Sequence, residues 1–390
     1  MRIGVDIRGI LTGQHSGIEQ YTLRLLENLL KIDQQNTYVL FYVSYRNLDE
    51  VFNQLLNAHL FLNQVNVEVR KLKWINAPLL LHAIWKPLLW PKVDKICGGL
   101  DVMWLPSPRL LPVSKKCKLV ITFHDLVFDL FPQFYPLASR LWQWQMSYPY
   151  LAKSADKLIA VSQNTKLDLM RLYHVPEDKI EVIYEGVDAS YSVAPLAAEV
   201  NVIKNKFNIP EDYLYYIGSL EPRKNLIAAV RALWYLHHKS HQFDKIKLVI
   251  SSGKNWLSSS LFTAIEKLGL AGSVIFTGPV SEAAKIVLLA NARLFIFASL
   301  YEGFGLPILE AMAAGTPVIA GNNSALPEVV GEAGVLVNPL DQSRINLTVE
   351  NIITNQQFAK DLISKGKIQA SKFSWELAAK ATLKILSWGH

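Results

Sequence analysis

Ser299 to Pro317 reads SLYEGFGLPILEAMAAGTP, and two carboxylates frame a turn in it, Glu302 before and Glu310 after. Gly303 and Gly305 can take backbone angles that other residues avoid. Pro307 suits the first turn of a helix, where its missing N–H costs nothing. The string therefore predicts a turn running into a helix whose first N–H groups lack internal partners and carry partial positive charge. Such a terminus seats a phosphate or another electron-rich oxygen. Glutamates just before it and on its first turn accept hydrogen bonds from hydroxyls. Anion seat plus hydroxyl acceptors describes a site for a sugar nucleotide. Residue by residue, the same string is also an ordinary strand–turn–helix. Ile308, Leu309 and Met312 are core in either case, and Ala311, Ala313, Ala314 and Gly315 allow tight packing.

Outward from this string, apolar runs alternate with amphipathic helical stretches, as in α/β proteins. Strands are expected at 2–7, 38–43, 102–105, 118–123, 157–161 and 180–183, with helices at 17–32, 135–154 and 164–173. A second series follows, with strands at 213–217, 247–251, 274–277, 294–298, 316–320 and 334–337. Its helices are expected at 225–239, 258–268 and 281–290. The tail, 342–367 and 375–388, reads as helical. The stretch 193–196 separates the two series, so the fold class is α/β with two Rossmann-like domains. At 390 residues the chain is also too long for one typical core.

Composition narrows the class. Apolar content of 51% with 19% charged residues fits a globular protein and not a disordered one. No apolar run reaches the roughly 18 residues of a membrane span, and MRIGVDIRGI enters a strand pattern without a signal-peptide core. Two cysteines, Cys97 and Cys117, argue against a disulfide framework and point to the cytoplasm. The net charge of +7 is concentrated between Val65 and Lys118, where ten Lys and Arg stand against three acids. Trp74, Trp85, Trp90 and Trp104 lie there with Leu79, Leu80, Leu81, Leu88 and Leu89. Basic residues beside tryptophan and leucine suit an anionic membrane surface, and a solvated basic face over buried aromatics is the plain alternative. No nucleic-acid motif accompanies the patch, so nucleic acid is not expected as a partner. The dinucleotide fingerprint is absent after the first strand, and there is no H-E-x-x-H, paired C-x-x-C or G-x-S-x-G. Those absences argue against a nicotinamide dehydrogenase, a zinc protease and a serine hydrolase.

Chemistry-bearing residues cluster at strand ends. The strand at 213–217 runs into GSLEPRKN, with Arg223 and Lys224 at the mouth of the next helix. Cations there lie where ligands bind in parallel sheets. They could clamp a diphosphate leaving group, Arg in bidentate fashion and Lys as a point charge. A surface cationic pair is the plain alternative. His124 and Asp125 follow the strand at 118–123 in ITFHDLVF, where a histidine could reach a sugar and its phosphate or simply hold a loop.

Taken whole, Ser299–Pro317 resembles the E-x7-E signature of retaining glycosyltransferases of family 4, enzymes of the GT-B architecture. The resemblance implies two domains facing across a cleft, an N-terminal acceptor domain over 1–192 and a C-terminal donor domain over 193–370. It also implies a final helix, 371–390, that returns to the first. GSLEPRKN resembles the pyrophosphate-binding segment of the family, which brings in Gly218 and Ser219. Many members carry arginine where Ser219 stands, and Arg223 is expected to take that role. The H-D string resembles the segment whose histidine lines the donor sugar, which implies that role for His124. Gly17, in HSGIEQY, matches a glycine loop near the diphosphate. Gly278 and Val280, in FTGPVS, match a loop whose backbone meets the base. VIYEGVD resembles the motif closing the first domain, with Glu185 where asparagine is usual and no role assigned to it. Ser162 matches a serine after the preceding strand and also reads as an N-cap.

These likenesses imply catalytic roles for His124, Arg223, Lys224 and Glu302. Donor contacts are implied for Gly17, Gly218, Ser219, Gly278, Val280, Gly303, Phe304, Gly305, Leu306 and Glu310. Glu302 is expected to hold sugar hydroxyls and Glu310 those of the ribose. No cofactor and no metal are expected, because cations and a helix terminus balance the diphosphate. The donor is expected to be GDP-mannose, with a UDP-sugar second. The acceptor is expected to be a glycan or lipid-linked glycan at the inner membrane surface. A sugar-nucleotide epimerase on the same architecture and a non-catalytic binding module are the rival readings.

Overall fold

A computed structural model describes residues 1–12, 17–44, 52, 59, 64–73, 89–137, 139–140, 146–253 and 259–388. The chain forms two units. One comprises Met1–Gly186 with Trp375–His390, and the other is Val187–Ser374. The passage between them is at Gly186 and again at Ser374, not at residues 192 and 370. Val187 and Ser374 form a parallel bridge, and the Val187 N–H donates to Phe373 O at 3.2 Å. The outgoing and returning segments are thus zipped together.

In the first unit the sheet strands are β1 (Arg2–Asp6), β2 (Thr37–Ser44), β3 (Val67–Lys73), β4 (Val102–Leu105), β5 (Lys118–Phe123), β6 (Lys157–Ala160) and β7 (Ile180–Val182). All pair parallel, in the order β3-β2-β1-β4-β5-β6-β7. The second unit has β8 (Tyr213–Ile217), β9 (Lys247–Ser251), β10 (Val274–Gly278), β11 (Leu294–Phe297), β12 (Val318–Gly321) and β13 (Val335–Val337). Its parallel order is β10-β9-β8-β11-β12-β13. Parallel strands are covered by helices on both faces, so they read as continuous apolar runs. VMWL of β4, LFIF of β11 and VIAG of β12 are buried at every residue. In each sheet the strand order reverses once, between β1 and β4 and between β8 and β11. Ligands of open α/β sheets bind at the carboxyl ends of strands at that reversal.

Several expectations need correction. β3 was not foreseen. It is an edge strand, VEVRKLK, in which Glu68 pairs with Arg2 at 2.8 Å and with Arg70 at 2.9 Å. Trp104 does not belong to a surface patch. It is fully buried in β4, and its Nε1–H donates to Thr122 Oγ1 at 3.1 Å. Trp90 is 63% exposed, whereas Trp74, Trp85, Leu79, Leu80, Leu81 and Leu88 lie outside the described residues. Of the helix expected at 135–154, Tyr148–Ser154 is helical, and residues 138 and 141–145 lie outside the described residues. The expected linker leads directly into an unforeseen helix, Ala197–Phe207, where the Leu196 N–H donates to the Glu199 carboxylate at 2.9 Å. The helical tail is broken at Asn355, whose side chain accepts from the Phe358 N–H and caps the second piece, Gln356–Ala370.

Two helix pairings set the frame around the strand ends. Gly366 of Gln356–Ala370 faces the helix Leu306–Ala313. A Cβ added at Gly366 would stand 3.4 Å from Met312 Cβ, so the glycine permits the close approach. The last helix, Trp375–Leu386, packs on the helix Gly17–Ile32 of the first unit, where Trp375 meets Tyr21 with ring centroids 5.9 Å apart. No helix among the described residues is long and apolar enough to cross a membrane. Trp375→Ala is expected to lower the stability of the first unit by about 3 kcal/mol, the usual cost of truncating a buried aromatic. Urea denaturation checks this, and a loss under about 1 kcal/mol would mean that the helix seam contributes little.

Candidate functional site

The reversal between β8 and β11 gathers the predicted cations and the first glutamate. β8 ends at Ile217 and leads through Gly218–Glu221 into a 3-10 turn, Pro222–Lys224. Asn225 then takes a left-handed conformation (φ 51°), and its side-chain amide donates to Ala298 O at 3.0 Å and Pro339 O at 2.8 Å. The Leu300 N–H donates to Arg223 O at 2.7 Å. These bonds lash the loop after β8 to the loop after β11, so Arg223 and Lys224 must face Glu302.

The Lys224 ammonium donates to both Glu302 oxygens, at 2.7 and 2.9 Å. Arg223 Nη1 donates to Glu302 Oε2 and to Tyr301 O, each at 3.0 Å, while its Nε donates to Glu221 Oε2 at 2.8 Å. The Glu302 N–H donates to Ser324 Oγ at 3.0 Å, which fixes the backbone below the carboxylate. Burial pushes the Glu302 carboxyl upward, but Lys224 and Arg223 together outweigh it and hold it below its ordinary value. Burial, joined by the adjacent Arg223 charge, holds the Lys224 ammonium below its ordinary value.

Pro307 is in the first turn of the helix Leu306–Ala313, as expected, but Glu310 is its fifth residue and lies past the first turn in which it was expected. Gly305 precedes the helix at φ 112°, a left-handed region that disfavours side chains, and accepts from the Ile308 N–H at 2.9 Å. Phe304 is buried with its ring against Phe373 at 6.0 Å; Gly303 is buried and Leu306 half-buried. Glu310 is 2% exposed, and its Oε1 accepts from Lys285 Nζ at 2.8 Å. Lys285 also reaches Glu282 at 3.0 Å and stands over the Tyr191 ring. Tyr191 in turn donates its hydroxyl to Glu282 Oε2 at 2.6 Å. Burial raises the Glu310 carboxyl above its ordinary value even though Lys285 opposes it.

The remaining predicted residues are dispersed. Gly218 closes β8, its N–H donating to Ser251 O at 3.1 Å, and Ser219 turns its hydroxyl to Glu221 at 2.9 Å. Gly278, left-handed at φ 71°, ends β10, the edge strand, with β9 between it and β8; Val280 follows, half-buried. In the first unit Gly17 opens its helix, and a Cβ there would meet nothing within 4 Å. His124 follows β5. Its Nε2 lies 2.8 Å from Pro106 O and its Nδ1 3.4 Å from Glu185, with Tyr21 edge-on at 4.7 Å. Ser162 is an N-cap, accepting from the Thr165 N–H at 3.0 Å. Sequence reasoning missed Glu221, Tyr191, Ser324 and Lys285. The lysine carried no signal of its own, since in EAAKIVLLA it reads as a solvated tip on an apolar stem. Among the described residues no group of three or more His, Cys, Asp or Glu could hold a metal ion.

Comparison with known proteins places this geometry in a context. The family described as "Glycosyl transferases group 1" matches residues 199–369, and "Glycosyltransferase Family 4" matches residues 15–191. The Escherichia coli O-antigen chain mannosyltransferase B is 31% identical over 267 residues, 68% of this chain and 69% of that protein. The Escherichia coli serotype-specific mannosyltransferase WbdA is 31% identical over 260 residues, 66% of this chain and 32% of that protein, so the chain spans about a third of WbdA. In fold, the chain is similar to Anabaena HepE, solved with UDP and glucose. The TM-score is 0.75 at 21% identity, covering 99% of each chain.

The lowered value of Glu302 gives a pH signature. Its ionised form stabilises the fold above the ordinary carboxyl value of 4.5, and this contribution is lost as pH falls through the lowered folded-state value. The difference in urea midpoint between the wild type and Glu302→Gln is therefore expected to hold from about pH 7 to about pH 5 and to shrink only at lower pH. A gap that is already closing near about pH 6 would contradict the clamp.

Proposed function

The chain belongs to the glycosyltransferases of group 1 and family 4, and on that premise we propose that it is a retaining mannosyltransferase using GDP-mannose. The acceptor on this reading is a growing glycan or lipid-linked glycan. The observation that carries it is the Arg223–Lys224–Glu302 cluster at the carboxyl ends of β8 and β11. A diphosphate seated on these two cations brings the sugar it carries beside the Glu302 carboxylate, which accepts from sugar hydroxyls. The backbone at the start of Leu306–Ala313 adds partial positive charge, so charge balance falls to the protein and no metal is assigned. Glu310 is the proposed ribose acceptor, and His124 the proposed contact to the transferred sugar.

On this reading no side chain forms a covalent intermediate with the sugar. The acceptor hydroxyl attacks the anomeric carbon from the face the diphosphate leaves. The carbon–oxygen bond to phosphate breaks as the new glycosidic bond forms, and the hydroxyl proton passes to the departing phosphate oxygen. Configuration is retained. Arg223 and Lys224 act by opposing the charge that grows on the leaving group. The choice of mannose is supported by the two Escherichia coli mannosyltransferases; a UDP-sugar is the second reading, supported by the UDP bound in Anabaena HepE. Contact with an anionic membrane at its cytoplasmic face is supported by exposed Trp90, Lys95, Ile96, Lys115 and Lys116 in the basic stretch 65–118.

Lys224→Ala and Glu302→Ala are each expected to cut turnover at least about tenfold and as much as about 10²–10³ with the fold intact. Near-normal turnover in purified, folded Lys224→Ala would refute the assignment. A thermal-shift and hydrolysis panel of nucleotide sugars is expected to single out GDP and GDP-mannose. Stabilisation by UDP and not by GDP would overturn that choice of donor.

A further inference from the structure

We propose that Lys285 is a positioning residue of the donor site: through Glu310 Oε1 it holds the Glu310 carboxylate so that the remaining acceptor sites meet the ribose hydroxyls of the nucleotide. The proposal rests on the reading of Glu310 as the ribose acceptor and adds the residue that makes that acceptor work. Glu310 is buried, and an isolated carboxylate in such a place is costly unless paired. Lys285, itself buried on the apolar side of the helix Glu282–Ala290, supplies the partner at 2.8 Å. Its ammonium has three donors. One goes to Glu310, one lies 3.0 Å from Glu282, and the tip stands 5.3 Å from the centre of the Tyr191 ring. Tyr191 is fixed in its turn by the 2.6 Å bond from its hydroxyl to Glu282. The lysine is therefore held from both sides, by the buried Glu310 and by Glu282, whose side chain is about half exposed.

A carboxylate offers about four acceptor sites over its two oxygens. The charge-assisted bond to Lys285 uses one and fixes the plane of the group, and the Tyr191 hydroxyl stands at a second, which leaves about two for a ligand. A vicinal diol, such as the 2′ and 3′ hydroxyls of a ribose, is the ligand that matches the acceptors left on a fixed carboxylate. Without the ammonium, the same burial favours a protonated Glu310, which would offer one donor in place of an acceptor. Lys285 does not touch the reacting atoms in this arrangement. Its loss should weaken donor binding in ground state and transition state alike, which appears in KM more than in kcat.

Calorimetric titration of GDP, UDP and their 2′-deoxy forms tests this, using whichever base binds the wild type more tightly. The wild type is expected to prefer the ribonucleotide about tenfold, as for one lost bond to a charged group. In Lys285→Met the preference should fall below about threefold, with donor KM raised about tenfold and kcat changed less. Lys285→Arg should restore the preference. If Lys285→Met does not fold, Lys285→Gln decides, because it keeps a donor beside Glu310 yet is too short to span both carboxylates; it should also lose the preference. A wild type that binds ribo and deoxy forms equally overturns the ribose role of Glu310 and the proposal with it. A wild type that discriminates, with Lys285→Met or Lys285→Gln discriminating equally well, overturns the proposal alone.

Discussion

The second unit turns on one buried carboxylate set between two cations. Glu302 accepts from Lys224 and Arg223, and the three charges lie where the strand order reverses. Taking such charges out of water is expensive, and attraction offsets that cost only when geometry is good and the remaining valences are met. The surrounding loops meet those conditions. Tyr301 O and Glu221 take further Arg223 donors, Ser324 anchors the Glu302 backbone, and Asn225 ties the two loops together. What looks like a dense set of loop hydrogen bonds is thus the scaffold that lets four ionised groups, Glu221 included, stay largely out of water side by side. The same scaffold fixes them where a charged ligand of an open sheet would bind.

Much of this was legible in the chain, and for a physical reason. Parallel strands are buried on both faces, so β4, β5, β8, β11 and β12 appear as short apolar runs that few other arrangements explain. The signature string carried its own turn chemistry in Gly305 and Pro307. Where the reading failed, side-chain context overrode local pattern. VEVRKLK looks like a solvated basic segment because an edge strand exposes its charges; its strand character comes from pairing along β2, which no window of sequence contains. Trp104 looked like one of several interfacial tryptophans, yet in β4, between β1 and β5, it is entirely buried.

The site was legible in the same uneven way. Arg223, Lys224 and Glu302 announced themselves as charged residues beside glycine and proline at strand ends. Lys285 did not, because a lysine among alanines and leucines on a helix is ordinarily a solvated tip on an apolar stem. Only the tertiary contact with Glu310, twenty-five residues further along the chain, shows that its charge stays inside. Glu185 is similar. It departs from the family pattern, and the structure sets it 3.4 Å from His124, a proximity that no local rule anticipates.

The parallel bridge between Val187 and Ser374 makes the second unit an insertion whose two ends emerge at one point. Its residues are continuous in the chain, whereas the first unit needs the helix Trp375–Leu386 to cover the helix Gly17–Ile32. During synthesis from the N-terminus, the inserted unit therefore has all its strands before its host has all its helices. The usual order, in which the first domain made is the first to finish, is reversed here. The face of Gly17–Ile32 that packs on Trp375–Leu386 stays uncovered until Leu386 has been made, so the host unit is the last to close.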